Sequence, residues 1–463
     1  MKKKLILYEL NEVPRKLLEH YIKERPHSAL AKLVSEGYLF DTLTNDEGEL
    51  HPWSTWPSLH RGVYNDKHGI KYINQDLTCA NEFKPIWQIL SENGKDVGVF
   101  GSLQSYPPVL NQFVKFYLPD TFAPDFNSFP DEIEEFQKFN LLMTGENKAA
   151  SRSISSKSFL IFMKLLMRRI ISTNSAFIAI FQIFKEKLNK KFKSRRSIIQ
   201  CVISFDLYFK YLKRYKPSFS TYFTNHVAGM MHRYWKDLFI EEFDSERFAK
   251  DKFHSKSVIR AMDVADKNLN KLINFADKEK YDLWVLTSMG QSSIDRGEYI
   301  DDLYLSDISK LLKNIKLNPK DFQLLPAMHP DNCVICKDKK SLSKLRNSLA
   351  NLKDTRNNPL VIERYPPTGL TLNIQFKKNK TIAQNKTIVF DEQEFNILDF
   401  GLEIIKRDIG TGYHIPEGIF IAYGSNSQRF KSIQSRFIET TKFAPTILKF
   451  FNIKPPSYMR NCL

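Results

Sequence analysis

Short apolar runs ending in polar or glycine residues alternate along this chain with stretches whose apolar residues recur every three or four positions. Leu5–Tyr8 predicts a first strand, and Leu17 to Leu33 has helical spacing, with Leu17, Leu18, Tyr21, Ile22, Leu30 and Leu33 on one face. Ile86 to Gly94 predicts a helix with a glycine stop, feeding a strand over Val97–Gly101. Ser220–Thr224, Leu283–Thr287 and Gly418–Gly424 predict further strands. Strands separated by helices imply an α/β fold with a mostly parallel sheet covered by helices on both faces. Chemistry in such sheets sits beyond the carboxyl ends of the strands, which directs attention to Glu9 and Asn11, Asn225 to His232, and Ser288 to Gln291.

Two segments interrupt the alternation. The first spans about 146–200 and is basic, with an apolar set Phe159, Leu160, Phe162, Met163, Leu165, Leu166, Ile170 and Ile171 beside Lys164, Arg168 and Arg169. A helix of this composition either lies in a membrane interface or packs on a core with its basic side wet. The second spans about 301–385 and reads as a small α/β insertion or cap. The expected organisation is therefore a core in three parts, 1–145, 201–300 and 386–463, with insertions at 146–200 and 301–385. Lys377 to Lys386 reads as a polar connector. Its basic residues lack interleaved aromatics, and nucleic acid is not expected as a partner.

Composition narrows the class. The chain has 463 residues, 42% hydrophobic and 26% charged, enough for a large core. The net charge of +17 points to an anionic partner: nucleic acid, acidic lipid or a phosphorylated substrate. The apolar run after Met1-Lys-Lys-Lys4 is too short for a signal peptide, and nothing reaches the uninterrupted length of a membrane span. Five cysteines make a disulfide framework improbable, and the lone Cys333-Val-Ile-Cys336 reads best as two buried thiols in a strand. The expected location is cytoplasmic, with peripheral contact to the inner membrane face through the basic insertion.

The polar groups at predicted strand ends are Glu9, Asn11, Glu12, Thr55, His60, Arg61, His226, His232, Arg233, Ser288, Gln291 and His414. His232 or His414 suits proton transfer near neutrality, Glu9 suits a base or an orienting carboxylate, and Arg61 or Arg233 suits a phosphate fork. Each has a structural alternative: Glu9 accepting backbone N–H groups, His60 packing on a helix, Arg233 pairing with Asp237. Trp53 and Trp56 belong to a core or form a platform for a sugar ring.

The stretch His51-Pro-Trp-Ser-Thr55-Trp-Pro57-Ser-Leu-His60-Arg-Gly62 with Asp66-Lys-His-Gly69 places Thr55 just before a proline, Pro57, at an expected loop-to-helix junction. A hydroxyl there serves either as a helix cap or as a group facing an anion. With Glu9 ending the first strand, His226 to His232, Leu283 to Gln291, Gly412-Tyr-His414 and Ala444-Pro to Pro456, it follows a recognisable order. The chain resembles the alkaline phosphatase superfamily, in particular its type I phosphodiesterase/nucleotide pyrophosphatase branch. The resemblance implies that fold, and it implies two zinc-like ions about 4 Å apart that clamp phosphate and activate a nucleophile.

Position by position, the resemblance makes Thr55 the nucleophile. It puts Glu9 at the first-strand ligand and retains His232 and His414 as ligands. The middle aspartate falls on Ala228, and the paired Asp-His falls on Met289 and Gly290. Three ligand positions are thus lost. The expected catalytic set is Thr55, Glu9, His232 and His414. Substrate contacts are expected from Asn11, Trp53, His60, Arg61, Asn225, His226, Arg233, Ser288 and Gln291. Two tightly bound zinc ions are not expected. At most one weakly held divalent ion is, on Glu9, His232 and His414.

The Glu-Leu-Asn-Glu, Pro-Trp-Ser-Thr-Trp-Pro-Ser and Ser-Met-Gly-Gln motifs further resemble a divergent bacterial branch that accompanies surface-polysaccharide biosynthesis. The implied activity is a hydrolase or transferase on a phosphate- or nucleotide-linked glycan. The alternatives are a metal-independent glycan-modifying transferase and an inactive binding or scaffold protein.

Overall fold

The computed structural model describes residues 3–146, 156–297, 300–325, 327–328, 330–364, 367, 369–377, 379–406, 410–459 and 462–463. The start of the basic insertion (147–155) and Lys378 of the connector lie outside them.

The core sheet is built from β1 (Leu5–Leu10), β2 (Tyr38–Leu43), β3 (Val97–Phe100), β4 (Val114–Leu118), β5 (Phe219–Thr224) and β6 (Asp282–Leu286). Past β7 (Gly290–Ser293), the second insertion carries β8 (Asp302–Leu305), β9 (Phe322–Leu325), β10 (Asp331–Cys336), β11 (Val361–Glu363) and β12 (Thr371–Phe376). After it come β13 (Thr387–Phe390), β14 (Gln393–Asn396) and β15 (Leu402–Ile405). β16 (Gly412–Ile415), β17 (Glu417–Tyr423) and β18 (Phe437–Glu439) complete the strands of the core. Eight strands lie in the order β18-β2-β17-β6-β1-β5-β3-β4. β1 runs parallel to β5 and β6, and β3 parallel to β4 and β5. β17 alone among these is antiparallel, to both β2 and β6. The mostly parallel α/β architecture expected from the alternation is the one observed.

All six residues of β1 are buried, because helices cover both faces. Ile6, Tyr8 and Leu10 join a cluster with α1 (Arg15–Glu24), α2 (Ala29–Glu36), α9 (Arg196–Tyr215), α10 (His226–Leu238) and α11 (Ser257–Glu279). Leu5 and Leu7 face the other side, among α3 (Pro52–Arg61), α5 (Ile86–Glu92) and α15 (Phe443–Phe450). The helical pattern from Leu17 to Leu33 is two helices, not one. Arg25-Pro26 ends the first, and Ser28 caps the second by accepting from the Ala31 N–H.

The basic insertion is helical, with α7 (Ser156–Met167) and α8 (Thr173–Leu188) following α6 (Glu134–Glu146). The second insertion has its own hydrophobic cluster, running from Leu303 to Leu402. Its sheet has the order β11-β12-β10-β9. Residues 387–405 pack with this insertion. Cys333 and Cys336 are buried in β10, and neither is in a disulfide.

Candidate metal and phosphate site

The turn after β1, helix α10 and strand β16 converge. β1 ends at Leu10, and the chain turns sharply through Asn11 and Glu12, whose φ of 61° is left-handed. A glutamate in that region costs about 1 kcal/mol or more and is held there only by its surroundings. The turn delivers the Glu12 carboxylate, buried, to His232 on α10 and His414 on β16. Glu12 Oε2 lies 3.0 Å from His232 Nε2 and 3.5 Å from His414 Nε2. The three donor atoms all fall within 4.8 Å of one another.

Neighbouring groups fix each member. Asn11 Nδ2 donates to Glu12 Oε1 (2.7 Å) and to Asn225 Oδ1 (2.7 Å), while Asn11 Oδ1 accepts from Trp56 Nε1 (2.8 Å). Gln291 Nε2 donates to Glu12 Oε2 and, at 3.2 Å, to the Ala228 carbonyl. Gln291 on β7 stands opposite His414 in an antiparallel pair. The Gly412 carbonyl, 3.0 Å from His232 Nδ1, can only accept. Nδ1 therefore carries the proton, and Nε2 is the atom turned to Glu12. Burial alone would raise the Glu12 carboxyl, but His414 and then His232 hold it well below the ordinary range. Burial would lower His414, and Glu12 overrides it and raises that imidazole.

This donor set fits one divalent cation. Two histidines and a carboxylate form an open three-ligand site. Ligand atoms about 2.0–2.1 Å from a tetrahedral ion stand about 3.3 Å apart, close to the separations from Glu12.

Among the described residues, the positions that the resemblance assigns to a second ion do not form a ligand set. Glu9 is fully buried below the cleft, its Oε1 2.7 Å from His60 Nε2 and its Oε2 accepting from Ser102 Oγ (2.8 Å). Met289 is buried. Gly290 has no space for a side chain, since a Cβ there would meet the Glu417 carbonyl oxygen at 2.1 Å. Gly290→His is accordingly expected to lower stability by more than about 2 kcal/mol through overpacking and to add no second equivalent of metal. Chemical denaturation with metal analysis checks both parts.

Thr55 is neither a cap nor at a junction. His51 precedes Pro52 at the helix start, and Thr55 lies inside the first turn of α3. Its hydroxyl is fully buried, 2.7 Å from Ser288 Oγ. α3 also places His51, stacked on Trp53 at 4.8 Å, beside His414 at 5.6 Å between ring centres. Asn11, Trp53, Asn225, His232, Gln291 and His414 are thus joined by contacts around Glu12, and Thr55, paired with Ser288, lies one residue along the chain from Trp56, which donates to Asn11.

Five expected site residues do not join this set. Glu9 and His60 pair with each other, the His60 ring lying between Trp56 and Trp87. Arg61 is buried and donates to the Phe83 carbonyl, burial pushing it down to about 10. His226 spans from Thr224 Oγ1 (2.7 Å) to the Ala261 carbonyl (2.9 Å), and burial drives it down to about 4, so it is neutral. Arg233 Nε donates to the Gly229 carbonyl (3.0 Å), while Asp237 pairs with Lys236 (2.8 Å). The helical register from Arg233 to Asp237 is broken by non-helical backbone at Tyr234 (φ −127°).

Sequence reasoning placed Glu12 among the strand-end polar groups without a ligand role, and missed the rim beside it. Glu49 bonds Tyr413 and, at 2.7 Å, Arg364 of the second insertion. The Arg296 guanidinium sits 4.8 Å over the Tyr413 ring.

No protein-family model matches the sequence, and no curated protein matches it. Solved structures do. Murine ectonucleotide pyrophosphatase/phosphodiesterase 5 is 12% identical with a TM-score of 0.42, over 99% of this chain and 98% of that one. An inactive form of the murine protein in complex with AMP is 11% identical with a TM-score of 0.43, over 99% and 97%. Phosphonoacetate hydrolase from Sinorhizobium meliloti 1021, in complex with phosphonoformate, is 13% identical with a TM-score of 0.41, over 97% and 95%.

Proposed function

We propose that this chain is a single-ion phosphoester hydrolase or transferase acting on a phosphate- or nucleotide-linked substrate. The observation that carries the reading is the triad of buried Glu12 with the partly buried His232 and His414. A divalent ion bound there supplies Lewis-acid polarisation of a phosphoryl oxygen. Asn11 and Gln291 grip the two oxygens of Glu12 and keep the carboxylate in one orientation. Thr55 offers the hydroxyl that attacks phosphorus, and Ser288 fixes its direction. The ester P–O bond breaks, the departing oxygen takes the threonine proton, and water or an acceptor hydroxyl then displaces Thr55 from phosphorus. Arg296 and Arg364, flanking Tyr413, add positive charge for the anionic substrate. The finer reading, a glycan precursor of bacterial surface polysaccharide, is supported by the sequence pattern and by Trp53 and Tyr413 near the cleft.

A second reading, a binding protein that holds the same anion without cleaving it, is favoured by one observation: Thr55 is buried and paired with a neutral hydroxyl. Hydrolysis of bis(4-nitrophenyl) phosphate by the zinc- or manganese-loaded chain separates the two. The enzyme reading expects turnover, lost by about a hundredfold or more in Thr55→Ala while metal uptake persists. No turnover by the loaded wild type supports the binding reading. Full turnover by Thr55→Ala removes Thr55 as the nucleophile.

A further inference from the structure

α8 is amphipathic in reverse. Its inward face is small or polar, with Ser175, Ala176, Ala179, Gln182 and Glu186 buried. Its outward face carries Phe177 (68% exposed), Ile180, Phe181, Phe184 and Leu188 (72% exposed), at the spacing of one helical stripe. α7 adds Phe159, Leu160 and Met167. Among the described residues, eight of the sixteen large apolar side chains left exposed fall between Phe159 and Leu188, so the patch is concentrated rather than scattered. Phe177, Phe181 and Phe184 stack in series, with ring centres 6.2 and 6.5 Å apart.

The charge around this patch is predominantly positive. Between positions 157 and 196 the sequence holds eleven lysines and arginines and one acidic residue, Glu186. That glutamate is buried in an ion pair with Arg196 (2.5 Å) and offsets nothing outside. Two of these cations are paired with carboxylates from outside the segment, Lys164 with Glu135 (2.9 Å) and Lys191 with Asp251 (2.9 Å). Lys185 lays its stem along the aromatic row, with Nζ 4.4 Å from the Phe181 ring centre. No helix among the described residues is long and apolar enough to cross a membrane.

We propose that the α7–α8 face docks on the surface of an anionic lipid bilayer. Aromatic and aliphatic side chains enter the headgroup boundary, and the surrounding lysines and arginines meet lipid phosphates. A second copy is a poor occupant, because a two-fold contact would set the same basic excess against itself. This inference stands independently of the metal site.

The test is co-sedimentation of the full chain with vesicles of phosphatidylcholine alone or with about 30 mol% phosphatidylglycerol. The wild type is expected to pellet with the anionic vesicles and much less with the neutral ones. Phe177→Ser/Phe181→Ser/Phe184→Ser is expected to weaken partitioning by about tenfold or more, and Lys185→Glu/Lys187→Glu/Lys190→Glu to erase the anionic preference. These side chains face outward, so the unfolding midpoint should hold in both variants. Either variant suffices if the other is damaged. The proposal is overturned if the wild type ignores anionic vesicles, or if a folded variant binds them as well as the wild type. It is also overturned if sedimentation velocity shows self-association that the triple-serine variant loses, since a second copy then covers the face.

Discussion

Glu12→Gln is expected to weaken divalent-metal binding by about a thousandfold or more, roughly 4 kcal/mol. The reason is electrostatic as well as geometric. Glu12 is the single carboxylate in the triad, buried where its charge is little screened, and it holds the two imidazoles in one place. A glutamine there sets its amide nitrogen against one of the two donors, Asn11 Nδ2 or Gln291 Nε2, each of which now serves a carboxylate oxygen. Thermal unfolding reads the loss without any activity assay. Zinc at a hundredfold excess over its dissociation constant should stabilise the wild type by about 2.7 kcal/mol and the variant by almost nothing. An equal zinc-dependent shift in both proteins would remove Glu12 from the metal.

The largest stability effect is expected at His60, far from any ligand duty. His60→Ala should cost about 3–5 kcal/mol, read by denaturant unfolding, with metal uptake unchanged. Glu9 and His60 are 0% and 1% exposed and 2.7 Å apart. Removing the imidazole strands a buried carboxylate with Ser102 as its remaining partner and opens a void between Trp56 and Trp87. A small stability change together with lost metal binding would return Glu9 to the ligand role that sequence reasoning assigned to it.

That misassignment shows where legibility ends. The strands were readable because apolar runs bounded by polar or glycine residues have few other outcomes. His232 was readable as a polar group past the predicted strand Ser220–Thr224, whereas His414, which precedes the predicted strand Gly418–Gly424, was singled out through the family resemblance. Glu9 shares the strand face of Leu5 and Leu7, so the period of two aims it at the α3 side of the sheet and away from the two histidines. Glu12 reaches them because the backbone turns through a left-handed residue just past the strand, a conformation that a glutamate does not advertise. Thr55 was misplaced by one turn, since His51-Pro52 rather than the later proline starts the helix. Met289 and Gly290 were legible as residues that offer no carboxylate or imidazole ligand. That Gly290 has no room for a side chain depends on the approach of β17, which no local pattern encodes.

Anomalous diffraction at the zinc edge from crystals of the reconstituted chain tests the central claim most directly. The account predicts a single peak bounded by Glu12 Oε2, His232 Nε2 and His414 Nε2. A peak between Glu9 and Thr55, a pair of peaks, or no peak at the triad would contradict it.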